Sequence, residues 1–237
     1  EEFFVRSVRH FRDDITDPEL KRQVAGFIGQ EAVHGREHRV LNDRLAELGY
    51  PTKLVERITR KGLAFRARVM TPRANLATTA ALEHFTATLA DVILSSERAR
   101  ELIGAPELVD VFVWHALEES EHKAVAFDVY RHVGGSERTR RWTMNYICVM
   151  FLGGMTLQVV GAMLGDRETY RRGAVRASLG RISRNPFFTR RVWRRLRDYN
   201  RLGFHPDDHD TTELLEAWRE RLFGADGSLV DRLLDTA

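Results

Sequence analysis

Two Glu-x-x-His pairs, Glu31 with His34 and Glu119 with His122, are the residues of this chain best suited to chemistry. Side chains three apart on a helix leave the same face and converge, so each pair offers a carboxylate oxygen and an imidazole nitrogen to one point. A single such pair is weak, because both residue types are common on solvated helices. Here the neighbours are apolar. Glu31, His34 and His38 interrupt a stripe of Leu20, Val24, Phe27, Leu41 and Leu45. His115, Glu119 and His122 fall within about 60° of one another on the stripe of Leu108, Phe112 and Ala126. Burying such groups costs several kcal/mol unless something pairs or ligates them. Two more carboxylates face inward by the same periodicity. Glu83 lies among Leu76, Thr79, Ala80, Thr86, Ala87, Ala90 and Leu94, and Glu1 lies with Phe4, Val5, Val8 and Ile15, while Glu2 is about 100° away.

In chain order the inward set reads Glu, Glu-x-x-His, Glu, Glu-x-x-His. That is the donor set of a four-helix bundle that encloses two iron or manganese ions. Two divalent cations held close repel each other; four carboxylates offset that repulsion, and two of them can bridge. Neutral imidazoles complete the shells and leave positions for dioxygen or substrate. Glu1, Glu31, His34, Glu83, Glu119 and His122 are therefore the expected metal ligands, with Glu31, Glu83 and Glu119 at the catalytic centre. Glu118 competes with Glu119, since it can pair with His122 at i, i+4. His38 suits a hydrogen-bonding partner that orients a ligand. His84 and Glu37 sit at stripe edges, for surface or similar supporting roles, and Glu121 points to solvent. The bland alternative is a bundle with buried polar pairs and no metal.

Helical spacing of apolar residues recurs along all 237 residues, and period-two strand patterns are scarce. The expected fold is all-α, a four-helix bundle over residues 1–133 with a helical extension over 134–237. The first helix runs to about Arg12. Asp17 and Pro18 suit the cap and first turn of the second, which stops at Gly49-Tyr50-Pro51. Their short connection implies an antiparallel pair, with Glu1 level with Glu31. Residues 52–70 suit an amphipathic helix with a basic outer face. Thr71-Pro72 opens a helix reaching Ser95, and one further helix is expected from about Pro106 to Val133, ended by Gly134-Gly135.

The stretches Glu1 to Arg9, Phe27 to His38, Leu82-Glu83-His84 and Phe204-His205-Pro206 resemble the family labelled predicted metal-dependent hydrolase, over nearly the whole chain. The ligand layout is similar to the ferritin-like di-iron carboxylate superfamily. His115-x-x-x-Glu119-x-x-His122 resembles the last ligand helix of the di-iron arylamine N-oxygenases, and by that resemblance His115 is a seventh ligand; otherwise it is a core or supporting histidine. The resemblance implies an enzyme with two iron ions, or manganese, that activates dioxygen to oxidise a small organic substrate. The alternatives are a metal-dependent hydrolase with a dinuclear site and a protein that only holds metal.

Beyond the bundle, residues 142–165 carry no charge, enough to span a bilayer. Gly153-Gly154, Gly161 and Gly165 equally suit close packing, inside the protein or in a homodimer. Between Arg167 and Arg201 stand twelve Arg against Glu168 and Asp198, interleaved with Phe187, Phe188, Trp193 and Tyr199. Such a surface suits anionic membrane, nucleic acid or acidic partners within the protein. No phosphate loop, zinc finger or RNA-recognition signature supports nucleic acid. Phe204 to Asp210 reads as a turn and cap leading into an amphipathic C-terminal helix from Thr211 to Phe223. A formal net charge of +3 and a single cysteine, Cys148, fit a cytoplasmic protein with possible membrane association.

Overall fold

The computed structural model describes residues 1–165, 167–171 and 173–229. It is all-α, and among the described residues there is no strand. The chain divides into two compact units, one of residues 1–83 and 122–140, the other of residues 84–121 and 141–237.

The first unit is built on the antiparallel pair α1 (Glu2–Arg9) and α2 (Pro18–Glu47). Asp17 caps α2 by accepting the Glu19 N–H, and Pro18 stands where its missing N–H costs nothing. The expected stripe of α2 is buried over Leu20, Val24, Phe27, Glu31 and His34, then becomes half-buried at His38, Leu41 and Leu45. α1 is shorter than the sequence implies, ending at Arg9, and a 3₁₀ turn over Arg12–Asp14 follows. Ile15 and Asp17 are extended. Extended residues advance about 3.3 Å each instead of about 1.5 Å, so the helix register assumed from the sequence slips. Glu1 accordingly meets Gly35 and His38, one to two turns further along α2 than Glu31.

α3 (Thr52–Val69) packs on α2, yet none of its residues is buried. The first half of α4 (Pro72–Ser95) belongs to this unit and buries Leu76, Ala77, Thr79, Ala80 and Glu83. Its start is held by the Thr71 hydroxyl, which accepts the Ala74 N–H.

The second unit contains the rest of α4, a short helix α5 (Glu97–Glu101), and α6 (Pro106–Glu121). The expected single helix from 106 to 133 is broken: α6 stops at Glu121, and α7 (Val125–His132), in the first unit, starts four residues later. The break is bridged by the Val125 N–H donating to the His122 carbonyl. The inner face of α6 also differs from expectation. Leu108 is exposed, and Val113, Ala116 and Leu117 are buried instead, with Ala90 and Leu94 of α4 and Leu215, Trp218 and Leu222 of α11 (Thr212–Phe223). Trp218 donates its indole N–H to the Leu94 carbonyl at 3.0 Å, satisfying its one polar atom.

α8 (Glu137–Gly165) follows the turn at Gly134, whose φ of +76° is cheap only for glycine. Of the alternatives open for 142–165, a span, a helix packed inside the protein and a homodimer contact, the packed helix is not what is found: only 11% of the apolar window in Glu137–Gly161 is buried. α9 (Ala174–Ile182) and α10 (Arg190–Asp198) complete the unit, and α10 is held by Arg195, whose guanidinium lies 2.8 Å from the buried Asp91 carboxylate. At the C-terminal turn His205 caps Pro206–Asp208 in a capping box, as the sequence suggests.

Candidate metal centre

Within the first unit, Glu31 and His34 leave the buried face of α2, Glu83 that of α4, and His122 the segment between the α6 and α7 helices. All four are almost fully buried: Glu31 at 1%, His34 and Glu83 at 0%, His122 at 3% exposure. His34 Nδ1 is 3.5 Å and His122 Nε2 3.6 Å from Glu31 Oε1, and His122 Nδ1 is 3.2 Å from Glu83 Oε2. The two imidazoles are 5.8 Å apart by ring centre, and Phe27 meets His122 edge-on at 5.2 Å. Glu119, one turn before His122, completes a group of four buried residues. One ligand atom from each of Glu31, His34, Glu119 and His122 lies within 4.8 Å of the others.

The chemistry of this donor set fits a divalent cation. Both oxygens of Glu31 are buried and accept no hydrogen bond. Leaving a carboxylate so costs several kcal/mol, which a metal ligated by oxygen and nitrogen offsets. Burial, and then the negative charge of Glu31, push the Glu83 carboxyl well above the ordinary carboxylate range. His34 acts in the opposite direction.

The other residues singled out from the sequence take varied places. Glu1, at the N-cap of α1, is half-buried and meets His38 Nδ1 at 2.6 Å through Oε1, whereas Glu2 is exposed. A Cβ built on Gly35 comes within 3.6 Å of the Glu1 side chain, so the glycine permits this approach. His115 Nε2 lies 3.5 Å from Glu119 Oε1. The other oxygen of Glu119 accepts a hydrogen bond from Thr86 Oγ1 at 2.5 Å. Glu118 is half-exposed, Glu37 pairs with Arg36, and Glu121 is engaged by Arg219 at 2.7 Å rather than merely solvated. His84 departs furthest from the surface or supporting role expected of it. It is buried, donates its Nε2–H to the Arg195 carbonyl across 2.9 Å, and packs on Tyr199 and Phe204. Its work is to anchor α10. Thr86 is the contributor that sequence reasoning passed over as a small packing residue; its position one turn after Glu83 was the available signal.

The family described as predicted metal-dependent hydrolase matches residues 1–210 of the chain. The chain belongs to that family. No curated protein and no solved structure matches it significantly. The resemblances to ferritin-like di-iron proteins and to arylamine N-oxygenases are thus without a matching relative, and the hydrolase family covers the bundle, the uncharged helix and the arginine-rich segment together.

Beside Glu1 and His38, the first unit also has a cleft of about 880 Å³ along α1, α2 and α3. Leu45, Tyr50, Val55 and Leu63 line it with Arg6 and Arg39. Its size is that of a small-molecule site.

Proposed function

We propose that the chain is a metal-dependent hydrolase whose centre holds two divalent cations, iron or manganese, through Glu1, Glu31, His34, Glu83, His115, Glu119 and His122. The observation that carries the reading is the buried group of Glu31, His34, Glu119 and His122 within a chain of the hydrolase family. Cations there supply Lewis acidity, polarising a carbonyl or phosphoryl oxygen and making water a competent nucleophile near neutral pH. The residues of the chain do the rest. Glu31, Glu83 and Glu119 supply the negative charge that keeps the cations in place. Thr86 orients Glu119 through its hydroxyl, and His38 orients Glu1. Phe27 and the surrounding apolar residues exclude bulk water. The substrate is a small organic molecule that enters along the cleft lined by Tyr50, Leu45 and Arg39.

The test is metal content per chain followed by hydrolysis of an activated ester and a phosphodiester by the manganese-, iron- and zinc-loaded protein. Turnover that follows metal content and disappears in Glu31→Ala supports the reading. A purified chain that retains no metal, or hydrolysis indifferent to Glu31→Ala, overturns it. One observation favours oxygen activation as a second reading: His115 stands 3.5 Å from Glu119, in the His-x-x-x-Glu-x-x-His order. Oxygen uptake by the reduced iron-loaded protein, without hydrolysis of either probe, would select it.

A further inference from the structure

The metal centre makes no use of the outer flank of α8 or of the arginines that follow it. On α8, Trp142, Tyr146, Val149, Leu157, Val160 and Leu164 are all exposed, Leu157 by 75%. At about 100° per residue these six, with Gly153 between them, occupy one strip about 80° wide. At about 1.5 Å per residue the strip is about 33 Å long. The opposite flank packs on the second unit: Thr143, Met144 and Ile147 are buried, and Phe151 meets Phe85 at 4.5 Å. Trp142 and Tyr146 stack at 5.6 Å at the start of the strip, and such rings, apolar with one polar edge, favour the boundary between lipid and water.

The helix is long and apolar enough to cross a membrane, but its connections forbid a crossing. Phe151, Leu152 and Met155 line one cavity together with Asn185, Phe187, Phe188 and Val192. The chain therefore leaves the body after Met155 and is back by Asn185, and no described side chain between them is buried. The outward apolar leg, Thr156 to Gly165, is about 15 Å long, half the hydrocarbon thickness of about 30 Å. The returning leg carries Arg171, Arg176, Arg181 and Arg184. Neither leg spans. Nor can the tip be the deepest point of a dip into lipid, because Arg167 and Arg171 follow it directly.

We propose that the α8 strip lies flat in the headgroup region of an anionic bilayer, with its apolar side chains toward the acyl chains and exposed arginines of the 167–201 segment, Arg176, Arg181 and Arg184, on lipid phosphates. Charge selects this occupant over a second copy of the chain. Twelve Arg stand against Glu168 and Asp198 in that segment, and a second copy would bring an equally basic surface alongside. Anionic lipid supplies an apolar phase and the opposite charge in one surface, the combination that interfacial helices use.

The experiment is co-sedimentation of the full chain with vesicles of phosphatidylcholine alone or containing phosphatidylserine, at low and high salt. Binding is expected to the anionic vesicles only and to weaken as salt rises. The exposed double substitution Leu157→Asp/Leu164→Asp should lower partitioning by at least about tenfold, with helicity by circular dichroism unchanged. Arg181→Glu/Arg184→Glu should lower it by about tenfold, on anionic vesicles specifically. Failure to bind anionic vesicles, or equal binding to both kinds, overturns the proposal. So does a dimer in sedimentation equilibrium that Leu157→Asp/Leu164→Asp dissociates, since a second copy would then cover the strip.

Discussion

Glu83 is fully buried, and Glu31 is its nearest negative neighbour by effect, so both burial and charge favour its protonated form. A folded-state pKa above the unfolded one contributes stability that is present below the ordinary carboxylate range and lost as pH rises through the raised value. The metal-free wild type should therefore lose more stability than Glu83→Gln as pH rises above the ordinary carboxylate range, which chemical denaturation at several pH values will measure. Metal displaces that proton. Its uptake should release protons and tighten with rising pH, a dependence that calorimetry in buffers of different ionisation enthalpy detects. Among the ligands, Glu31→Ala and His122→Ala should each lower metal affinity by more than about tenfold while helicity is retained; Glu118→Ala, at a half-exposed position, should change it less than about threefold. Metal analysis after dialysis compares the three. A Glu118 variant that loses the metal as Glu31→Ala does would exchange the roles assigned to Glu118 and Glu119.

The helices that hold these side chains begin where their caps dictate. Removing the α2 cap by Asp17→Ala should cost about 1 kcal/mol, read as a lower urea midpoint with an unchanged slope. Helix ends impose sharper steric limits. A Cβ on Gly135 would run into the Tyr130 ring, and the Tyr130 hydroxyl is tied to the Ser136 carbonyl at 2.8 Å. Gly135→Ala must displace that ring and should destabilise the protein by about 1–3 kcal/mol in the same urea experiment. The starts of α2 and α4 were legible because Asp17-Pro18 and Thr71-Pro72 are capping signals. The break between α6 and α7 was not. His122-Lys123-Ala124 contains neither Gly nor Pro, and the interruption leaves no compositional mark.

For the molecule as a whole, cations bound to the folded state and not to the unfolded chain add to stability by mass action. Free metal at a hundred times Kd contributes about 2.7 kcal/mol. Treatment with chelator should lower the thermal midpoint, and readdition of iron or manganese should restore it in wild type but not in Glu31→Ala. The second unit has its own core of Leu94, Val113, Leu117, Leu215, Trp218 and Leu222.

The inward placing of Glu31, His34 and Glu83 could be read from the sequence because helical periodicity turns spacing into direction: all three lie on stripes whose neighbours are buried. The all-α class and the basic character of 167–201 follow from composition and pattern in the same way. Tertiary structure alone decided that α6 turns Val113 and Leu117 inward rather than Leu108, because α11, more than ninety residues later, covers that side. It also decided that Glu1 meets His38, through an extended connection that sequence counting takes as helical, and that His84 braces α10. The flank of α8 is the clearest case. Its apolar residues are equally suited to a core, a dimer and a bilayer, and only the packing of Met144, Ile147 and Phe151 shows which flank the chain itself leaves uncovered. Hydropathy records what a side chain prefers, whereas burial depends on which distant segments arrive to cover it.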